Sequence, residues 1–169
     1  MIVRDAREAD LPAIFEIYHE QVLHGTATFD TEPKGPEAQR EWLLAHPRER
    51  YPVIAAEEMG RVVGWARLHP WSERCAYRRS AENSVYVHPQ WRGRGVGRLL
   101  LTELIDRARR AGVAVLLARI AEGNPASIAL HERAGFERIG TMRRVGEKFG
   151  RVLDVELMQM HLDGAGGAA

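Results

Sequence analysis

Residues 90–101, QWRGRGVGRLLL, combine three alternating glycines with three arginines and end in an apolar run. The short apolar segment 85–87 precedes them, so the glycines lie between a predicted strand and a predicted helix. Glycine lets backbone amides approach a ligand closely, and the first amides of a helix have no backbone partner. Together with the arginine charges, this pattern predicts a site for a phosphate or pyrophosphate.

Two familiar phosphate-binding motifs do not fit this stretch. The dinucleotide fingerprint requires G-x-G-x-x-G, whereas the spacing here is G-x-G-x-G, and the Gly-Lys-Ser/Thr of the P-loop is absent. The alternative interpretation is a glycine-rich turn whose arginines are only solvated.

A second block of interest is residues 124–136, NPASIALHERAGF. Asparagine followed by proline is favoured at the start of a helix, so Asn124 is a helix cap, a ligand contact, or both.

Together, the two blocks resemble the GCN5-related N-acetyltransferases (GNAT). Arg92, Gly95 and Gly97 meet the family pattern Q/R-x-x-G-x-G/A. Residues 124–136 resemble its N-x-x-A/S…L-Y-E-x-x-G-F segment, with His131 at the tyrosine position. The resemblance covers almost the whole domain, and it implies the GNAT fold, acetyl-CoA as co-substrate and no metal.

Three further segments resemble one branch of this family, the phosphinothricin and methionine sulfoximine acetyltransferases. They are residues 27–33 (ATFDTEP), 81–87 (AENSVYV) and 146–150 (GEKFG). The resemblance implies transfer of an acetyl group to the α-amino group of glutamate-like or methionine-like analogues, by direct attack in a ternary complex. It also implies a homodimer.

The coenzyme contacts implied by the resemblance lie in the strand at 85–87, the glycine stretch and the second block. They are Val85, Tyr86, Val87, Arg92, Gly93, Arg94, Gly95, Val96, Gly97, Arg98, Asn124 and Ser127. The backbone of the strand would pair with the pantetheine arm, and the glycine stretch would hold the pyrophosphate.

Two residues are candidates for catalysis. Glu82, placed just before the 85–87 strand, would take a proton from the amine directly, act through water, or hold the ammonium. The alternative is a surface carboxylate paired with an arginine. His131 would protonate the departing thiolate, because imidazole titrates near neutral pH, or it is a helix histidine without a chemical role.

The substrate carboxylate requires a cation, and arginine binds carboxylates through paired donors. Arg74, Arg78 and Arg79 lie in the irregular segment 69–80, where loop arginines are otherwise simply solvated. The predicted substrate-binding residues are Phe29, Thr31, Trp71, Arg74, Tyr77, Arg78 and Glu82.

Apolar periodicity predicts the element order β, α, α, ββ, β, α, β, α, ββ. The predicted strands cover residues 2–4, 51–58, 61–68, 85–87, 113–120, 136–145 and 152–162. The first predicted helix begins near Asp10, and the other three cover residues 37–45, 96–110 and 125–134. The fold class is α/β, with a mixed, mostly antiparallel sheet of about six to seven strands and about four helices. Residues 1–162 form one domain and 163–169 a flexible tail.

Composition and charge argue against several classes of protein. A net charge of +1 gives no reason to expect nucleic-acid binding, and no apolar run is long enough for a membrane span. Cys75 is the single cysteine and no histidine has metal spacing, so we expect a cytoplasmic protein without a metal. The alternatives to a small-molecule enzyme are an N-acetyltransferase for proteins or peptides and a non-catalytic acyl-CoA sensor.

Overall fold

The computed structural model describes residues 1–163, so the predicted tail lies outside the described residues apart from Asp163. The described part contains seven strands and four α-helices. They are β1 (Ile2–Asp5), α1 (Leu11–His24), α2 (Pro36–Leu44), β2 (Val53–Glu58), β3 (Arg61–Pro70), β4 (Ser80–Val87), α3 (Val96–Arg110), β5 (Val115–Ala121), α4 (Pro125–Arg133), β6 (Glu137–Lys148) and β7 (Arg151–His161).

The seven strands form a single sheet in the order β1-β2-β3-β4-β5-β7-β6. All neighbouring strands are antiparallel except β4 and β5, which are parallel and are joined through α3. The predicted α/β class and the mixed, mostly antiparallel sheet are therefore confirmed.

β4 differs most from its prediction. It begins at Ser80 rather than at Val85, so Glu82 lies inside the strand and not before it. Glu82 is opposite His69 of β3 and beside Leu117 of β5. The sequence prediction counted only the apolar residues, whereas the polar residues of this strand face a cavity, as described below.

The helices cover the two faces of the sheet. α1 buries Ile14, Phe15 and Ile17 in a cluster with Trp65 of β3. α3 buries one apolar stripe (Val96, Leu100, Leu101, Leu104, Ile105 and Ala108) in the larger core, which contains Ala66 and Leu68 of the same strand. Because successive side chains of a strand point to opposite faces, α1 and α3 lie on opposite sides of the sheet.

Asp10 occupies the cap position of α1 without capping the helix through its side chain. Its carboxylate instead accepts hydrogen bonds from the Arg7 amide and the Arg4 guanidinium. The helix begins where predicted because Pro12, at its first turn, has no amide hydrogen that needs a partner. Within residues 1–163, no helix is long and apolar enough to cross a membrane.

We predict that Leu104→Ala lowers the free energy of unfolding by about 2–5 kcal/mol, because it leaves a cavity in the larger core. Leu104 is 0% exposed, whereas Leu99 of the same helix is 39% exposed. The control Leu99→Ala should change stability by no more than about 0.5 kcal/mol, as is usual for surface positions. Urea denaturation of both variants tests this, and equal losses would contradict the assigned face of α3.

Candidate functional site

The site is created by the early separation of two parallel strands. β4 and β5 pair only over Ser80–Glu82 and Val115–Leu117, although β4 continues to Val87 and β5 to Ala121. Where the pairing ends, the side-chain amide of Asn83 donates to the backbone oxygen of Leu117 at 3.0 Å. Beyond that point the sheet has a gap.

Two cavities meet at this gap. One, of about 680 Å³, lies on the α1 side, and the other, of about 1070 Å³, lies between α3 and α4. Residues that line both are Ala27, Val85, Tyr86, Asn124 and Ser127. A molecule in the larger cavity can therefore reach a molecule in the smaller one through the sheet.

The glycine stretch forms one wall of the larger cavity. Gly93 and Gly95 have φ angles of 74° and 83°, in the left-handed region that favours glycine. Gly95 precedes the first turn of α3, whose amides have no side-chain cap and carry the partial positive charge of the helix. A Cβ on Gly97 would lie 3.3 Å from the side chain of Leu130, so a larger residue would crowd α4. This wall can bind an anion.

The larger cavity brings together eleven of the twelve predicted coenzyme contacts. They are Val85, Tyr86, Val87, Arg92, Gly93, Gly95, Val96, Gly97, Arg98, Asn124 and Ser127. Arg94 is outside the lining, and its guanidinium packs 5.0 Å from the ring centre of Trp91. Asn124 does not cap α4 with its side chain, which donates instead to Thr26 and to the Ala121 carbonyl.

Glu82 lies in the smaller cavity and is only 6% exposed. Arg119 of β5 donates to both carboxylate oxygens, at 2.8 Å and 2.6 Å, and this pairing raises the pKa of Arg119. The guanidinium also lies 5.5 Å from the ring centre of Trp71. The sequence analysis missed Arg119, although a lone arginine inside the apolar run 113–120 was a signal that could have found it.

His69 faces Glu82 across the β3–β4 ladder, with Nε2 3.7 Å from the nearer carboxylate oxygen. Burial is the main cause that lowers the pKa of His69 to about 4, and the charge of Arg67 is the second cause. Because this pKa lies well below 7, the imidazole is neutral at physiological pH. His69 therefore adds a polar wall to the cavity without adding charge.

His131 is 3% exposed, and hydrogen bonds hold its ring in one orientation. Nδ1 lies 2.8 Å from the Ser127 carbonyl oxygen, and Nε2 lies 2.9 Å from the side-chain oxygen of Asn83. Both partners are acceptors, so the protonated ring satisfies both contacts, whereas burial lowers the pKa of His131. The ring lines the smaller cavity from the α4 side, across the gap from Glu82.

Aromatic residues form a further wall of the smaller cavity. Tyr86 stacks on Trp65 with ring centres 4.7 Å apart, and Tyr18 meets both rings edge-on. The Tyr18 hydroxyl donates to Asp30 at 2.8 Å, and burial raises its pKa to about 12. Because Tyr86 stacks on this wall, its side chain points to the face opposite His131.

The segment carrying Phe29 is tied across the smaller cavity. Lys148 of β6 donates to the carbonyl oxygens of Gln21 and Thr28, at 2.9 Å and 2.7 Å. A Cβ on Gly146 would overlap the Phe29 ring, so this glycine allows the ring to lie against β6. Phe29, a predicted substrate contact, lines the smaller cavity.

Most of the other predicted substrate contacts do not line either cavity. Thr31, Arg74, Tyr77 and Arg78 are exposed, and Trp71 packs against Arg119. For the residues of segment 69–80, the reason is that β3 continues to Pro70 and the chain then forms a surface turn before β4 begins. The basic residues that do line the smaller cavity are Lys34, Arg67, His69, Arg119 and His131. Residues 1–163 contain no group of three or more histidine, cysteine or acidic side chains that could bind a metal.

Comparison with known proteins identifies the family. Residues 11–136 match the model of the acetyltransferase (GNAT) family. The chain belongs to the GNAT family of acetyltransferases. This GNAT protein therefore has the fold and the enzyme class that its two sequence blocks indicated.

Three similar proteins have informative names. A Pseudomonas paraeruginosa protein named L-methionine sulfoximine/L-methionine sulfone acetyltransferase is 44% identical, over 95% of this chain and 94% of its own length. A Sinorhizobium meliloti phosphinothricin acetyltransferase, solved in complex with AcCoA, is 40% identical with a TM-score of 0.91, over 95% of this chain and 87% of that chain. A Brucella melitensis structure named ribosomal-protein-alanine N-acetyltransferase is 45% identical with a TM-score of 0.92, over 95% of this chain and 99% of that chain.

We predict that His69 makes the stability of this GNAT protein sensitive to acid. Its folded pKa of about 4 lies below the ordinary value of 6.5, so the unfolded chain takes up the proton first as the pH falls. The contribution of His69 to the free energy of unfolding is thus fully present above pH 6.5. It is lost as the pH falls towards 4, by up to about 3 kcal/mol. His69→Gln should lose less stability than the wild type between pH 7 and pH 4.

Chemical denaturation at several pH values measures this difference. His24→Gln, at an exposed position of α1, is the matched control and should follow the wild type. Equal losses in His69→Gln and the wild type would contradict the buried, neutral imidazole.

Proposed function

We propose that this protein transfers an acetyl group from acetyl-CoA to the α-amino group of a small amino-acid analogue of the methionine sulfoximine, methionine sulfone or phosphinothricin type. The observation that carries the proposal is the gap between β4 and β5, where an anion-binding cavity meets a smaller cavity containing Glu82. The names of the similar proteins support this substrate class. Both reactants would be bound together, so that the amine attacks directly.

The residues of the larger cavity fit acetyl-CoA, which would supply an activated thioester carbonyl. The amides at the start of α3, with Arg92 and Arg98, would hold the pyrophosphate. Beyond Glu82, β4 has no partner strand on its β5 side, so its backbone groups at 83–87 remain to pair with the pantetheine amides and to orient the thioester oxygen.

Glu82 would act on the substrate amine. An ammonium group has no lone pair, so a proton must leave before attack. Arg119 uses one acceptor position on each carboxylate oxygen, and each oxygen retains another. Glu82 can therefore accept from the ammonium, or from a water molecule that carries the proton away, while Arg119 keeps the carboxylate in place.

In its protonated form, His131 would donate the proton on Nε2 to the thiolate that leaves and become a neutral imidazole. Nε2 would exchange its contact with the Asn83 oxygen for one with the sulfur. Its ring faces the gap from the α4 side, and Asn83 and Ser127 fix its orientation. The proton donor and the amine-binding carboxylate then lie on opposite sides of the thioester, as the direction of attack requires. Tyr86 is on the other face and is occupied by stacking on Trp65.

We also propose a homodimer that acts in the cytoplasm and confers resistance to such analogues. The edge strand β6, its partner β7 and the turn between them expose large apolar side chains on the described surface, namely Ile139, Val145, Phe149 and Val152. A second copy of the chain would cover them, consistent with the branch that the sequence resembles. Light scattering coupled to size exclusion measures the mass directly.

We predict that Glu82→Gln and His131→Ala lower kcat on L-methionine sulfone by about 10²–10⁴-fold, the usual contribution of a general acid or base. Thiol release from acetyl-CoA measures turnover on L-methionine sulfoximine, L-methionine sulfone, L-phosphinothricin and peptides beginning with alanine. Glu137→Gln, at an exposed position of β6, should match the wild type. Turnover confined to peptides would indicate a protein N-acetyltransferase, and binding without turnover would indicate a sensor.

We predict that Arg98→Met raises the Kd for acetyl-CoA by about tenfold or more, because a hydrogen bond to a charged group contributes about 1.5–3 kcal/mol. It should also reduce the salt dependence of binding. Arg110→Met, at the other end of α3 and paired with Glu103, is the control and should leave the Kd unchanged. Calorimetric titration at two salt concentrations tests both, and equal Kd values for the two variants would contradict the assigned pyrophosphate site.

A further inference from the structure

Arg67 is a cation without an anionic partner inside the smaller cavity. It lies on β3, opposite Ser84 of β4 and on the same face of the sheet as Glu82. Its Nε atom is buried and makes no hydrogen bond. Within residues 1–163, no carboxylate lies at ion-pairing distance from Arg67, in contrast to Arg119, whose partner is 2.6 Å away.

The guanidinium of Arg67 is nevertheless held firmly in place. Its NH1 group lies 3.2 Å from Nε2 of His46, and its centre lies 5.5 Å from the ring centre of Trp42. Nδ1 of His46 faces the Trp42 carbonyl oxygen at 2.6 Å, so it carries the hydrogen and leaves Nε2 free to accept. Of the five N–H donors of a guanidinium, one has a partner here.

The other charged groups that line the cavity are paired. Lys34 lies 3.9 Å from Asp30, and Arg119 binds Glu82. Burial lowers the pKa of both His69 and His131, which favours the neutral form of each imidazole. The charges within each pair cancel, so the lining of the cavity carries one net positive charge, which is that of Arg67. An α-amino acid that has lost its ammonium proton, the form that attacks the thioester, carries one negative charge. The cavity and the reactive form of such a substrate therefore complement each other.

We infer that Arg67 binds an anionic oxygen group of the acceptor, a carboxylate or a phosphinate, through paired N–H donors. The inference rests on the proposed function and deepens it, because it makes a free anionic group a requirement for a good substrate. A peptide bound by its N-terminus lacks a carboxylate beside the amine. It would cover the half-buried Arg67 and leave its buried Nε without an acceptor, which is costly. Arg67 thus selects free amino acids over peptides.

The test compares acids with their amides on wild type, Arg67→Met and Arg67→Lys. For L-methionine sulfone, Arg67→Met should lower kcat/KM by about 10–100-fold, mainly through KM, as expected for a lost charge-assisted hydrogen bond. The α-carboxamide of the sulfone should be poor with the wild type and insensitive to Arg67→Met. Arg67→Lys keeps the charge without the paired donors and should lie between the two. Arg61→Met, at an exposed position of the same strand, is the control.

The α-carboxamide of L-phosphinothricin identifies which anionic group is bound. If it retains sensitivity to Arg67→Met, Arg67 binds the phosphinate, and if it loses sensitivity, Arg67 binds the α-carboxylate. Equal losses of kcat/KM on acids and amides, or no loss on the acids, would overturn the inference.

Calorimetric binding of L-methionine sulfone in the presence of coenzyme A, which has no acetyl group to transfer, provides a readout independent of turnover. A loss of binding confined to Arg67→Met supports the anion site, whether or not the protein shows turnover. An absence of turnover would count against the proposed function alone. Unchanged binding in folded Arg67→Met would count against the inference alone, and thermal melting verifies the fold of each variant.

Discussion

The separation of β4 from β5 after three residue pairs is the constraint on which both cavities depend. A continuous ladder would close the sheet and isolate the α1 side from the α3 and α4 side. Asn83 ends the ladder, because its side-chain amide takes the Leu117 carbonyl as acceptor. The unpaired backbone that follows would be costly in a buried sheet, so the gap is stable only where water or a ligand can satisfy these groups.

The same asparagine also sets the orientation of His131. Its amide nitrogen is committed to Leu117, so its oxygen must face Nε2 of the imidazole. The end of the strand pairing and the position of the candidate acid are therefore fixed by a single side chain. On the other face, the side chain of Arg119 extends from β5 to Glu82 of β4. Charged groups therefore bridge the two strands where their backbones stop pairing.

Local patterns predicted much of the fold. The bounds of α3 match the prediction, because the glycines, the apolar stripe and the terminal arginines are all features of adjacent residues. The glycine stretch was likewise assigned to an anion site from local features alone. The surroundings of Glu82 could not be predicted in this way. They depend on the register that places His69 opposite Glu82 and on the register that places Leu117, two residues before Arg119, beside Glu82. Both registers involve distant residues. The arginines near residue 75 were favoured because they are close in sequence, yet β3 carries Arg67 into the cavity instead.

The charged groups of this site are of two kinds. Glu82 is buried, and the partly exposed Arg119 neutralises it, since an unpaired buried charge is strongly destabilising. Arg67 departs from this rule and relies on His46 and Trp42, which orient the guanidinium without neutralising it. A cation that is positioned but left without an anion reduces stability, and binding of an anionic ligand relieves that cost. The affinity and the selectivity of the smaller cavity then have the same physical origin, which is the charge that the fold leaves unpaired.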